Sequence, residues 1–125
     1  VLLFAKKEAA VDRLTKFLTE FFSSTNDYIL STTIHFLLER SAAEDKNVRT
    51  RACQLIANIL SSTSIADESL GALCEPIVEK LLPRLRDKIP AVRTWALKAL
   101  ARWLVAEAQA RGLGGDRQRG TEAGV

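Results

Sequence analysis

From Val48 to Leu60 the apolar residues fall at Val48, Ala52, Leu55, Ile56, Ile59 and Leu60. An α-helix turns about 100° per residue, so this spacing gathers all six on one broad stripe. Val92, Ala96, Ala99, Leu100, Trp103 and Leu104 repeat the pattern. Each of these helices is preceded by another apolar series at helical spacing: Leu30, Ile34, Leu37 and Leu38 before the first, and Cys74, Val78, Leu81, Leu82 and Leu85 before the second. An earlier helix, roughly Glu8 to Phe22, carries Val11, Leu14, Phe17, Leu18, Phe21 and Phe22. No segment alternates apolar and polar residues between turn signals, so the pattern predicts an all-α chain without strands.

The breaks between these series are rich in turn residues. Ser23 to Asp27 separates the first two helices, with Asn26 or Asp27 placed to cap the next one. Ser41 to Lys46 forms a short turn in which Glu44 and Asp45 read as capping residues, and Ser61 to Ser64 with Asp67 marks a link. Pro90 stands where a helix begins, a position at which the missing N–H costs nothing. Pro76 suits the first turn of a helix starting near Leu73, and Pro83, inside an apolar pattern, predicts a kink.

The two helix pairs are copies. Val48-Arg-Thr-Arg-Ala-Cys-Gln-Leu-Ile-Ala-Asn-Ile-Leu60 aligns with Val92-Arg-Thr-Trp-Ala-Leu-Lys-Ala-Leu-Ala-Arg-Trp-Leu104 at an offset of 44. The same offset carries Ile34, Leu37, Leu38 and Arg40 onto Val78, Leu81, Leu82 and Arg84. Helical hairpins of about 40 to 47 residues stacked side by side are the HEAT and armadillo pattern. The fold class expected is therefore an all-α HEAT-repeat α-solenoid of about two and a half helical hairpins. Residues 6–110 form the array: 6–22 the single helix of an incomplete repeat, 27–62 one repeat, and 68–110 the next. One hairpin cannot bury its stripe alone, so apolar surface is expected at one or both ends. Residues 111–125 hold five of the six glycines and no apolar periodicity, and are expected to be a disordered tail.

Hydrophobic residues at 47% and charged residues at 26% belong to a globular chain. No stretch is apolar for the roughly 18 residues a membrane span needs, so no membrane partner is expected. Val1 to Ala5 are apolar, but Lys6 and Lys7 follow at once, which leaves no signal-peptide core. The absence of Met points to a fragment or a trimmed chain. Cys53 and Cys74, the only cysteines, sit on helical positions and read as small core residues, with no metal site between them. His35, the one histidine, lies among apolar neighbours and reads as a partly buried helix residue, not a general base. No Gly-rich loop precedes a helix and no paired-carboxylate or His–Glu constellation is present, so neither an enzyme, a cofactor nor a small-molecule substrate is expected.

Charge changes the picture more. Lys80, Arg84, Arg86, Lys88, Arg93, Lys98 and Arg102 face a single acid, Asp87, over one short stretch, although the net charge is only +3. Such an excess is the footprint of phosphate binding, but it equally describes a solvated face or a surface for acidic peptides. Arg49 and Arg93 flank the apolar stripes and are expected to pair with an acid of their own or the next hairpin. Lys46, Arg51, Arg84, Arg86, Lys88, Lys98 and Arg102 are the phosphate-contact candidates. Trp95 shares a stripe with Lys98 and Arg102, and its counterpart at the repeat offset is Arg51. It is therefore a protein-interaction candidate that packs on a flanking repeat or anchors a bound peptide, whereas Trp103 aligns with Ile59 and belongs to the core.

Three segments carry a more specific likeness: Ile34-His-Phe-Leu-Leu-Glu-Arg40, Asn47-Val-Arg-Thr-Arg-Ala-Cys-Gln-Leu-Ile56 and Arg84-Leu-Arg-Asp-Lys-Ile-Pro-Ala-Val-Arg93. Together they resemble the N-terminal HEAT repeats of the condensin G-type (subunit 3) family, over roughly Lys6 to Trp103; the Gly-rich tail departs from it. The resemblance implies a non-enzymatic chromosome scaffold with the kleisin and other condensin subunits as partners. It also implies binding to duplex DNA in a basic groove without regard to sequence, and location on chromosomes in the nucleus, with a cytoplasmic pool allowed. Without the resemblance, the same residues describe a generic interaction scaffold of transport or phosphatase type that takes acidic peptides.

Overall fold

The structure is a computed structural model that describes residues 8–23, 27–62 and 67–112. Among them are five α-helices and no strand: α1 (Glu8–Ser23), α2 (Asp27–Arg40), α3 (Lys46–Ser62), α4 (Asp67–Leu81) and α5 (Pro90–Ala110), with a 3-10 segment (Leu82–Arg86) joining the last two. α2 packs on α3 and α4 on α5, giving two hairpins; α3 lies along α5, α2 along α4, and α1 against α3. The chain is thus a two-layered, all-α solenoid-like array, as the periodicity requires. The expectations for Asn26, Thr63, Ser64 and the tail beyond Gly112 lie outside the described residues, as do the side chains of Val11, Leu18 and Phe22.

The stripes meet in one core. Leu30, Ile34, Leu37 and Leu38 of α2 pack with Cys53, Leu55, Ile56, Ile59 and Leu60 of α3, Leu73, Ile77 and Leu81 of α4, and Val92, Ala96, Ala99, Leu100 and Trp103 of α5. Neighbours on both sides bury α3 almost all round, and even Gln54 is enclosed. Both cysteines are free, and burial pushes the Cys53 thiol up to about 12, with the Arg84 and Arg49 charges opposing it and Asp87 reinforcing it. Cys53 is a core residue with no tendency to ionise. Cys74 is only partly buried, at the edge of the core.

Three expectations are corrected. Leu104 matches Leu60 in the repeat, yet it is 58% exposed where Leu60 is 5%. Leu60 sits on a helix with a neighbour on each side, whereas among the described residues α5 has only α3 beside it in its layer. Second, the buried stripe of α4 runs through Leu73, Ile77 and Leu81; of the expected series Leu81 belongs to it, whereas Cys74 and Leu85 are only partly buried, Val78 is exposed and Leu82 is 52% exposed. Both series are apolar, so spacing alone could not separate them. Third, α4 starts at Asp67 and not near Leu73, which puts Pro76 inside the helix. Pro76 deprives the Ala72 carbonyl of its donor, but Ala72 and Gly71 are exposed, so water can replace it. The kink expected at Pro83 takes the form of the tighter 3-10 segment, with Pro83 in its first turn.

Exposed apolar side chains collect at both ends of the array: Leu14, Phe17 and Phe21 on α1, the two phenyl rings stacked, and Leu97, Leu104 and Val105 on α5. Helix ends follow local chemistry. Asp45 Oδ1 accepts the Asn47 N–H at 2.7 Å and the Val48 N–H at 3.3 Å, closing the first turn of α3. Asp45→Ala is expected to lower stability by about 1 kcal/mol in urea unfolding. Pro90 begins α5 after Ile89. Gly112, at φ 73°, terminates it, donating its N–H to Gln109 O.

Candidate nucleic-acid interface

The turn before α5 is organised by a buried carboxylate. Arg49 of α3 reaches across to Asp87 with two parallel bonds, Nε to Oδ2 at 2.8 Å and Nη2 to Oδ1 at 3.0 Å. Arg84 Nη1 donates to the same Oδ2 at 3.0 Å, and the Ile89 N–H donates to Oδ1 at 2.9 Å. Arg49 Nη1 also donates to the carbonyls of Ala43 and Glu44, and Arg93 Nη1 to the Asp87 carbonyl at 2.8 Å. Burial alone would raise the Asp87 carboxyl, but the Arg49 and Ile89 hydrogen bonds and the Arg49 and Arg84 charges outweigh it and hold it below its ordinary value. The network ties the turn of one hairpin to the turn of the next, so the starts of α3 and α5 lie side by side.

That juxtaposition creates a groove of about 320 Å³ lined by Lys46, Asn47, Thr50 and Arg51 of α3 and by Ile89, Ala91 and Trp95. Arg51 is half-buried and donates to Gln54 Oε1 at 3.0 Å. Lys98 Nζ stands 4.5 Å from the centroid of the Trp95 ring, and Arg102, one turn further along α5, is exposed. Trp95 is itself half-buried: part of it packs on the core and part faces the groove.

The basic stretch read from the sequence therefore divides. The structure brings Lys46, Arg51 and Trp95 together at one groove, with Lys98 over the Trp95 ring and Arg102 one turn beyond. Lys88 is exposed in the turn between Asp87 and Ile89. Arg86 lies apart, lining a recess of about 510 Å³ with Val78, Glu79, Leu82 and Pro83. Arg84 is held back from solvent, its side chain 24% exposed and bound to Asp87. Lys80 faces Glu39 at 3.4 Å. Arg49 pairs with an acid of the next hairpin, as expected, whereas Arg93 meets a carbonyl and not an acid. Asp87 was legible only as the lone acid of a basic stretch; its place just before the start of α5 was the available signal. His35 is exposed on α2 and not partly buried. Among the described residues no group of three metal-ligating side chains is assembled, and no helix is long and apolar enough to cross a membrane.

Fold and surface together define the class: an all-α, HEAT-like solenoid segment with a basic groove where successive hairpins meet. Comparison with known proteins then narrows it. The chain is 32% identical to human condensin complex subunit 3 over 114 residues, covering 82% of the chain and 11% of that protein. It is 32% identical to the Xenopus laevis subunit 3 over 114 residues (81% of the chain, 11% of that protein) and 31% identical to that of Schizosaccharomyces pombe over 107 residues (82% and 12%). This chain is a relative of the condensin G-type subunits, and it spans about one-ninth of the length of the curated relatives it matches. No family model and no solved structure matches it.

Proposed function

We propose that the chain is part of a non-enzymatic condensin scaffold that works with the kleisin and other condensin subunits to hold duplex DNA on chromosomes in the nucleus during mitotic condensation. The observation that supports this reading is the meeting of Lys46, Arg51 and Trp95 at one groove, with Lys98 over the Trp95 ring and Arg102 a turn beyond, in a chain related to condensin complex subunit 3. Contacts from such side chains to phosphates confer affinity without sequence preference. Each contact releases condensed counterions, which makes such binding steeply dependent on salt.

Fluorescence anisotropy of a labelled random duplex tests it. With about four to six phosphate contacts, affinity is expected to fall by roughly 10²- to 10³-fold between about 50 and 200 mM salt. A kleisin segment is expected to strengthen binding. Salt-independent binding, or none from a chain that circular dichroism shows to be helical, would sink the reading. The tryptophan in the groove favours one competing occupant, an acidic peptide anchored on the ring. Displacement of an acidic peptide by unlabelled duplex at low salt distinguishes shared use of the groove from indifference to DNA.

A further inference from the structure

The two hairpins place different residue types at equivalent positions beside the groove. At the repeat offset, Arg51 on α3 corresponds to Trp95 on α5, and Gln54 corresponds to Lys98. Each helix thus carries a cation and a neutral partner three residues apart, which puts the two on one face. Their order is exchanged. On α3 the cation comes first, and Gln54 Oε1 accepts from Arg51 Nη1 at 3.0 Å. On α5 the cation comes second, and the Trp95 ring lies under Lys98 Nζ at 4.5 Å, inside the roughly 6 Å reach of a cation–π contact.

We infer that Trp95 is a positioning residue that holds the Lys98 ammonium beside the groove for a phosphate. Packing against the core fixes the indole, and a fixed ring fixes the cation above it. The chemistry of the partner matters. A carboxylate would hold Lys98 as firmly, but it would cancel the charge that attracts a phosphate, as Asp87 does for Arg84. An indole holds the ammonium, leaves its full charge in place and leaves N–H donors free on the side away from the ring. A lysine ordered in advance loses less side-chain freedom when the phosphate arrives. This inference rests on the duplex-DNA reading and goes beyond it by assigning the aromatic residue of the groove to the cation and not to a base or a peptide side chain.

The test combines duplex anisotropy at low salt with the NMR signal of the Lys98 ε-methylene, using the full chain and its Trp95→Leu, Trp95→Phe, Lys98→Gln and Trp95→Leu/Lys98→Gln variants. Ring current is expected to shift the Lys98 signal upfield in the unmodified chain and to release it in Trp95→Leu. Trp95→Leu is expected to weaken duplex binding by roughly 2- to 5-fold. Trp95→Phe, which keeps a ring, restores most of the loss, and Trp95→Leu has no further effect once Lys98 is glutamine. An equal loss with and without Lys98 overturns the inference, because Trp95 would then act on the ligand or on the fold directly. So does an unshifted Lys98 signal. A shifted signal in a chain that binds no duplex overturns the DNA reading itself and removes the role with it, an outcome distinct from the other two.

Discussion

Replacing Asp87 with alanine is expected to destabilise the chain by about 3–5 kcal/mol, measured as the shift in its urea unfolding curve. The figure follows from what the substitution leaves behind. Arg49 is buried, and both its Nε and its Nη2 point at the Asp87 carboxylate, so its charge would remain inside the protein without a counterion. Arg84 and the Ile89 N–H would lose an acceptor at the same time. Domain stabilities are commonly about 5–15 kcal/mol, so a loss of this size leaves an array of few repeats close to unfolding at room temperature. Arg84→Ala removes a partly exposed partner and is expected to cost less. The same network gives stability a pH dependence of definite sign. The folded-state pKa of Asp87 lies below its ordinary 3.8, so its contribution is fully present above that value and is lost as pH falls through the folded pKa. Acid unfolding of the chain should therefore set in at lower pH than in Asp87→Asn, which is weakened already at neutral pH. Equal stability of Asp87→Ala and the unmodified chain would mean that the carboxylate does not join the hairpins.

The second large effect concerns the groove. Substituting Lys46, Lys98 and Arg102 together by glutamine is expected to reduce affinity for a random duplex by roughly 1,000-fold at about 50 mM salt. Each phosphate contact releases close to one counterion, which at that concentration is worth on the order of 10-fold in affinity. The dependence of log affinity on log salt should flatten by roughly three at the same time. All three side chains are exposed, so helicity and unfolding midpoint should hardly change. Arg84 is a poor choice for such a test, since reversing its charge would set an acid against buried Asp87 and unfold the site whether or not it meets DNA. Unchanged affinity in the triple variant would remove the groove from the DNA reading. A loss of affinity with an unchanged salt slope would mean that these residues act other than through phosphates.

How much of this was legible in advance depends on the residue. The stripes of α2, α3 and α5 were readable because a helix that must bury one side leaves a period of about 3.6 residues in the chain. The two hairpins were readable because one set of packing demands recurs at an offset of 44. The stripe of α4 was only partly readable: Leu81 belongs to it, but Leu73 and Ile77 compete with Cys74 and Val78 one residue on, and only packing against α2 and α5 selects between them. In the candidate site, composition marked the basic stretch and helical spacing set Lys98 and Arg102 on a stripe with Trp95, but neither could show that Arg84 is held by Asp87 while Arg86 lies apart.

By itself, then, the amino-acid sequence determined the helical class, the repeat, the main core residues and the presence of a local positive excess. These are properties of short segments, written in the order of residues along one helix. Tertiary structure decided which hairpin partner each arginine meets, which cations line the groove with Trp95 and which serve Asp87, and which leucines at the ends stay exposed. Those outcomes depend on distances between residues far apart in the chain. A carboxylate at position 87 takes its meaning from an arginine at position 49 only once the two turns are held side by side.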